Sequence, residues 1–210
     1  MNFMIAEDSP SSARVWLPPA VLVAISFLLQ CGGEPLAAYL RYERSGIDHG
    51  QLWRLITGNL VHLGYWHLFL NALSVALLVA LCPERASPVE WLKRVVLIGL
   101  GMSLGLYFFV PTLDTYVGLS GLVYGLFAYG FARQALQRDR IAIGALIFVA
   151  ARIAWELIVG APDSEQRLIG GGVAAESHLY GVIAAFLYGL AVGVIRPGGE
   201  PAIQHEGARK

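Results

Sequence analysis

Apolar stretches close to bilayer length, joined by short connections, recur along this 210-residue chain and limit its possible folds more than any other feature. They cover residues 16–31, 66–81, 95–110, 117–132, 141–160 and 173–195. A hydrocarbon core of about 30 Å takes about 20 helical residues to cross, so several of the six sit near the lower length limit. Only 14% of the residues are charged, against about 25% in an ordinary soluble domain. The connections leave no room for a separate soluble domain. The pattern predicts an all-α membrane protein, with one six-helix domain over residues 15–195. It is preceded by a short cytoplasmic segment, 1–14, and followed by a polar, Gly- and Pro-rich tail, 196–210, expected to be disordered.

Orientation follows from basic residues, which cytoplasmic loops retain. An even number of spans puts both termini on one side, with Arg14, Arg85, Lys93, Arg94, Arg133, Arg138, Arg140, Arg196, Arg209 and Lys210. The other side holds Arg41, Arg44, Arg54 and Arg167, and Arg152 falls within a span. Cytoplasmic termini are predicted. The "FLLQCGG" run around Cys31 superficially resembles a lipoprotein cleavage site. Gln30 replaces the small residue expected before the cysteine, and Glu7 and Asp8 replace a basic cluster, so the segment reads as a retained helix. Cys31 and Cys82 fall at opposite membrane faces and are too far apart to pair. No metal-ligand spacing and no cofactor motif is present.

Polar groups at membrane depth are costly and tend to be functional. Here they form three sets: His62, His67 and Asn71 around the second span, Ser120 and Tyr124 in the fourth, and Ser177, His178 and Tyr180 opening the sixth. All three sets fall in the outer part of the membrane under the predicted topology. His67 and Asn71 are four residues apart and share a helix face, as do Ser120 and Tyr124. Gly121 and Gly125 form a small-residue row, and Gly181, Ala185 and Gly189 form another; such rows let helix backbones approach closely. If the fourth and sixth helices pack along these rows, Ser120 meets His178, the arrangement of a nucleophile with its general base. His67 and Asn71 would then supply donors to a developing oxyanion.

Each residue also has a plainer role. A membrane serine commonly bonds back to a carbonyl one turn earlier, paired glycines commonly serve packing alone, and an interfacial histidine such as His62 is commonly structural. Arg152 and Glu156, four apart in the fifth span, form either a structural clamp or a polar contact for substrate. The convergence of three sets at one depth favours a site.

Taken together, the motifs resemble those of the rhomboid family of intramembrane serine proteases, over roughly residues 16–195. "GLSG" is similar to the family's G-x-S-G nucleophile motif, "HLYG" to its H-x-x-G motif, and "HLGYWHLFLN" to its H-x4-H-x3-N pattern. "WR" at Trp53 and Arg54 resembles a first-loop pair. The resemblance implies a Ser120–His178 dyad without a required acid, Glu176 included. It further implies an oxyanion hole from the Ser120 N–H, His67, Asn71 and the Leu119 N–H. In support would stand Tyr124 packed on the imidazole, His62 bonding across the first loop, Gly118 and Gly121 within the motif, and Gly181 at the helix approach. Arg152 and Glu156 flank the family's lateral entrance.

Within the family, "WRLITGNLVH", "YVGLSGLVYG", "ARIAWELIVG" and "ESHLYG" are most similar to the rhombosortase branch. That branch is associated with removing a C-terminal anchor, built of a Gly-rich motif, a transmembrane helix and basic residues, from exported bacterial proteins. The implied setting is the bacterial inner membrane, with the site opening toward the periplasm. The implied partners are a membrane-anchored protein substrate and the lipid bilayer, with no nucleic acid and no metal. Ser177 stands where the family more often has alanine, and Asn59 where many members have a histidine. A catalytically inactive rhomboid-like binding protein is the alternative, although Ser120 and His178 are both present. A transporter would show inverted repeats or helices broken at the midplane, and a metalloprotease H-E-x-x-H; neither pattern occurs.

Overall fold

The computed structural model describes residues 12–84 and 86–195. The order along the chain is α1 (Ser12–Gln30), α2 (Gly33–Leu40), β1 (Tyr42–Glu43), α3 (Arg44–Asp48), α4 (Arg54–Thr57), α5 (Tyr65–Leu81) and α6 (Pro88–Phe109), then β2 (Thr115–Tyr116), α7 (Ser120–Leu136), α8 (Arg140–Val159), α9 (Asp163–Ile169) and α10 (Ala175–Ala191). The expected tail, most of the expected N-terminal segment, and Arg85, Arg196, Arg209 and Lys210 lie outside the described residues.

Each of the six apolar stretches falls on one long helix: α1, α5, α6, α7, α8 or α10. By length and composition, α6 and α8 are each sufficient to cross a membrane, and α1 with α2, bent by 118°, makes a third candidate. Helices α5, α7 and α10 have 17 residues each. At 1.5 Å per residue that is about 26 Å, short of a full hydrocarbon core. A count of six therefore exceeds what length and hydrophobicity establish, because the shorter helices carry the glycines and polar groups.

Local chemistry sets several helix ends. Ser87 accepts from the Glu90 N–H while Glu90 reaches back to the Ser87 N–H, a capping box with Pro88 at the first helical position of α6. Asp139 accepts from the Ile141 and Ala142 N–H groups and starts α8. Carbonyls at a helix C-terminus run short of N–H donors within the helix. Arg44 donates to four carbonyls here, those of Leu106 and Tyr107 in the last turn of α6 and of Val110 and Leu113 just after it, at 2.8–3.2 Å.

Helix α7 packs against α10, α6, α8 and α5, with Leu119, Leu122, Val123, Leu126 and Ile98 in the core. It meets α10 backbone to backbone. A Cβ on Gly181 would collide with the Gly121 carbonyl oxygen, and one on Gly125 would sit 2.5 Å from the Gly181 oxygen. The expected row on α10 stops at Ala185, since Gly189 faces the Ile195 side chain instead. Helix α6 joins through its own small residues, Gly101 against Ala184 and Gly105 against the Tyr180 ring.

The first loop is stitched to the segment before α7. Strands β1 and β2 pair antiparallel, Tyr42 with Tyr116 and Glu43 with Thr115, and the Gly118 N–H donates to the Gly58 carbonyl at 3.1 Å. At the far end of α7, Glu84 binds Arg94 and Arg133, and Arg94 lies 4.3 Å from the centre of the Tyr129 ring.

Candidate active site

Ser120 is the first residue of α7 and His178 lies in the first turn of α10. The glycine contact between these helices brings Ser120 Oγ to 3.2 Å from His178 Nε2. One turn on, the Tyr124 ring stacks on the imidazole, centroids 4.0 Å apart and planes 10° apart. Ser120 is half-buried and His178 buried. The other ring nitrogen, Nδ1, lies 2.6 Å from Glu156 Oε2. Arg152 Nη2 pairs with Glu156 Oε1 at 2.8 Å and with Glu165 Oε2 on α9 at 2.7 Å.

This placement corrects one expectation. The Glu156 side chain has no solvent exposure, so it is not presented to substrate. Its position on α8 turns inward with Ile153, while Trp155 and Ile158 face out. The pairing with Arg152 is present, and the carboxylate's second contact is the imidazole. Glu176 is half-buried at the start of α10 and lines the cavity over the serine.

The oxyanion candidates gather around the α7 N-terminus, whose first N–H groups have no partner within the helix and carry the positive end of its dipole. The Gly121 N–H is taken by the Tyr116 hydroxyl at 3.3 Å, and that hydroxyl donates to the Gly118 carbonyl at 2.7 Å. Tyr116 thus latches the loop that carries Leu119 and Ser120. His67 lies against Gly118, where φ is +118° and a Cβ would sit 2.6 Å from the His67 ring. Both facts require glycine there. The Leu63 N–H donates to His67 Nδ1 at 3.4 Å, which puts the ring hydrogen on Nε2. Asn71 donates one amide hydrogen to the His67 carbonyl at 3.0 Å; its second makes no hydrogen bond among the described residues.

His62 differs from expectation. Among the described residues neither buried ring nitrogen makes a well-formed hydrogen bond, and the backbone group nearest to making one is that of Leu60, two residues away, rather than a group across the first loop. The ring instead meets His67 edge-on at 5.0 Å. Trp53 and Arg54 stay away from the serine and brace the first loop. Arg54 donates to the Ala38 and Arg41 carbonyls at 2.9 and 2.8 Å, and Trp53 to the Tyr39 carbonyl at 3.3 Å. Asn59 bonds locally to the Leu55 and Ile56 carbonyls and to Ser103 on α6.

A cavity of about 640 Å³ opens over Ser120, His178, His67 and Asn71. A second, of about 340 Å³, reaches Ser120 from the side between Ser74, Phe148 and Arg152. A half-buried hydroxyl beside an imidazole, at a helix N-terminus and open to a cavity, can perform nucleophilic acyl transfer.

The contact between Glu156 and His178 and the Tyr116 latch were missed from sequence. A carboxylate at the depth of His178, in an otherwise apolar helix, was the available signal for the first. For the second, nothing in a two-residue strand gave warning.

The profile of the Rhomboid domain family matches residues 49–194. The chain is similar to "Putative rhomboid protease YdcA" of Bacillus subtilis (strain 168), with 25% identity over 142 residues covering 68% of each chain. Rhomboid proteins are membrane proteins, and the family is one of serine intramembrane proteases. The matched segment holds α4 to α10 and every candidate catalytic residue, and it covers well over half of the sequence: the chain belongs to the rhomboid family.

Proposed function

We propose that this protein is an intramembrane serine endopeptidase that cuts membrane-anchored proteins near or within a transmembrane segment. The observation that carries this is the 3.2 Å contact between Ser120 Oγ and His178 Nε2 at the floor of an open cavity. Ser120 Oγ attacks the scissile carbonyl carbon and its proton passes to His178 Nε2. The resulting oxyanion is held by the Ser120 and Leu119 N–H groups with His67 Nε2–H and the free Asn71 amide hydrogen. Collapse breaks the C–N bond, and Nε2 returns the proton to the leaving amine. Water, deprotonated by the same imidazole, then releases the acyl group.

Six spans, two cytoplasmic termini and a site opening toward the periplasm of a bacterial inner membrane complete the proposal. The outward apolar face of α8 supports it, with Ile141, Phe148 and Ile158 exposed by 83%, 70% and 83%, as expected of a lipid-facing helix. The proposed substrate is an exported protein whose C-terminal anchor, preceded by a Gly-rich motif, is removed, as in the rhombosortase branch.

The test is reconstitution in liposomes with a protein bearing such an anchor, following tail release by mass spectrometry. Wild type is expected to release the tail. Ser120→Ala is expected to reduce release to background with an unchanged Tm. Near wild-type release by Ser120→Ala overturns the proposal, and retention of uncut substrate by the wild type favours an inactive binding protein.

A further inference from the structure

We propose that Glu156 is a positioning residue for His178, so that the reacting unit is a buried Ser120–His178–Glu156 relay rather than a pair. The inference rests on the protease activity proposed above and adds a residue to it. His178 and Glu156 are each 3% exposed, and Nδ1 and Oε2 are 2.6 Å apart. A carboxylate so buried is stable only when paired and hydrogen-bonded. Arg152 alone could neutralise it, but Arg152 faces the other oxygen, Oε1, at 2.8 Å. Oε2 is thereby left for the imidazole.

Two constraints act on the His178 ring. Stacking on Tyr124 fixes its plane but leaves it able to turn within that plane. The carboxylate at Nδ1 removes this remaining freedom, and it keeps the hydrogen on Nδ1 and the lone pair of Nε2 toward Ser120. When the Ser120 proton moves to Nε2, the imidazolium forms beside a fixed negative charge. Glu156, paired with Arg152, orients the ring, and no proton passes to the carboxylate. Arg152 is itself held from the outer side by Glu165 on α9, so the alignment runs without a gap from the α8–α10 connection to the nucleophile.

Glu156→Gln tests this. It preserves shape but removes the charge, and its amide group can donate to Nδ1 and so favour the wrong tautomer. In the reconstituted full chain, kcat is expected to fall about 10²–10⁴-fold, with KM and Tm near wild type. Combined with Ser120→Ala it is expected to be no worse than Ser120→Ala alone. Glu156→Asp, which keeps the charge, is expected to recover part of the loss. In ¹⁵N-histidine-labelled wild-type protein, a strongly downfield Nδ1 proton resonance is expected, and Glu156→Gln abolishes it. A kcat within about 3-fold of wild type in Glu156→Gln, while Ser120→Ala is dead, overturns this inference alone. Continued cleavage by Ser120→Ala overturns the activity itself. If Glu156→Gln does not fold, the wild-type spectrum decides, and absence of the downfield resonance overturns the inference.

Discussion

The two ends of α7 each hold a glutamate gripped by arginine, and they differ in the remaining partner. At the C-terminal end both oxygens of Glu84 go to guanidiniums, those of Arg94 and Arg133, with Arg94 also lying on the Tyr129 ring. At the N-terminal end Glu156 gives one oxygen to Arg152 and the other to His178. A guanidinium keeps its protons in a protein and offers no lone pair, whereas a neutral imidazole has a ring nitrogen that can accept a proton. The first end can only hold helices together, while the second can also move a proton. On the proposed chemistry, the same kind of acidic residue serves as a clamp or as part of a reacting unit according to whether its partner has a lone pair to offer.

The largest expected effect on rate and stability together comes from breaking the shared scaffold. Gly181→Ala places a Cβ against the Gly121 carbonyl and should separate α7 from α10 at the serine end. A displacement of about 1 Å costs about 100-fold in rate, and overpacking costs about 1–3 kcal/mol in stability. Cleavage should fall at least that far and Tm should drop. Gly125→Val should behave similarly. Gly125→Ala, which looks mild from sequence, should be costly too, since its Cβ would sit 2.5 Å from the Gly181 oxygen. Full activity with Gly181→Ala would mean that the close approach does not set the distance from serine to histidine.

A narrower effect, on rate without stability and confined to the reacting end, is expected from the oxyanion donors. Asn71→Ala should slow turnover by roughly 10- to 1,000-fold, and His67→Ala with Asn71→Ala should slow it further. Neither change reaches Glu84. An unchanged rate in the paired variant would remove both residues from the site.

The smallest effect on cleavage is expected at the clamp. Arg94→Ala leaves Glu84 with one guanidinium and should lower stability by about 1–3 kcal/mol, below the about 3–5 for a fully buried pair; the Glu84 side chain is 24% exposed, which screens the loss. The cleavage rate per folded molecule should stay within about 3-fold of wild type. A large loss of rate without loss of Tm would show that the two ends are coupled.

The helical segments were legible because apolar runs of this length have few other uses. Ser120, His178 and the Gly121–Gly125–Gly181 contact were legible because spacing on a helix fixes which residues share a face, while the stacking of Tyr124 on the imidazole followed only from the family resemblance. Glu156 was not, because Arg152 four residues earlier already satisfied it on paper; which way its second oxygen points depends on where α10 lies. Gly189 was assigned to a row by spacing alone, and the turn after α10 took that face. The pairing of β1 with β2 joins two residues to two residues across the chain, far too short for an alternating pattern to announce.

The separation of nucleophile and base along the chain has a consequence for how such a protein is made. Ser120 and His178 are 58 residues apart, and Glu156 is supplied between them. A ribosome adding about 5–20 residues per second delivers the serine roughly 3–12 s before the histidine. On the proposed chemistry, the newborn chain sits among other inserting helices with a hydroxyl that has no base to activate it. Cutting power arrives only when α10 docks on α7, so delivery of that helix is also what arms the serine.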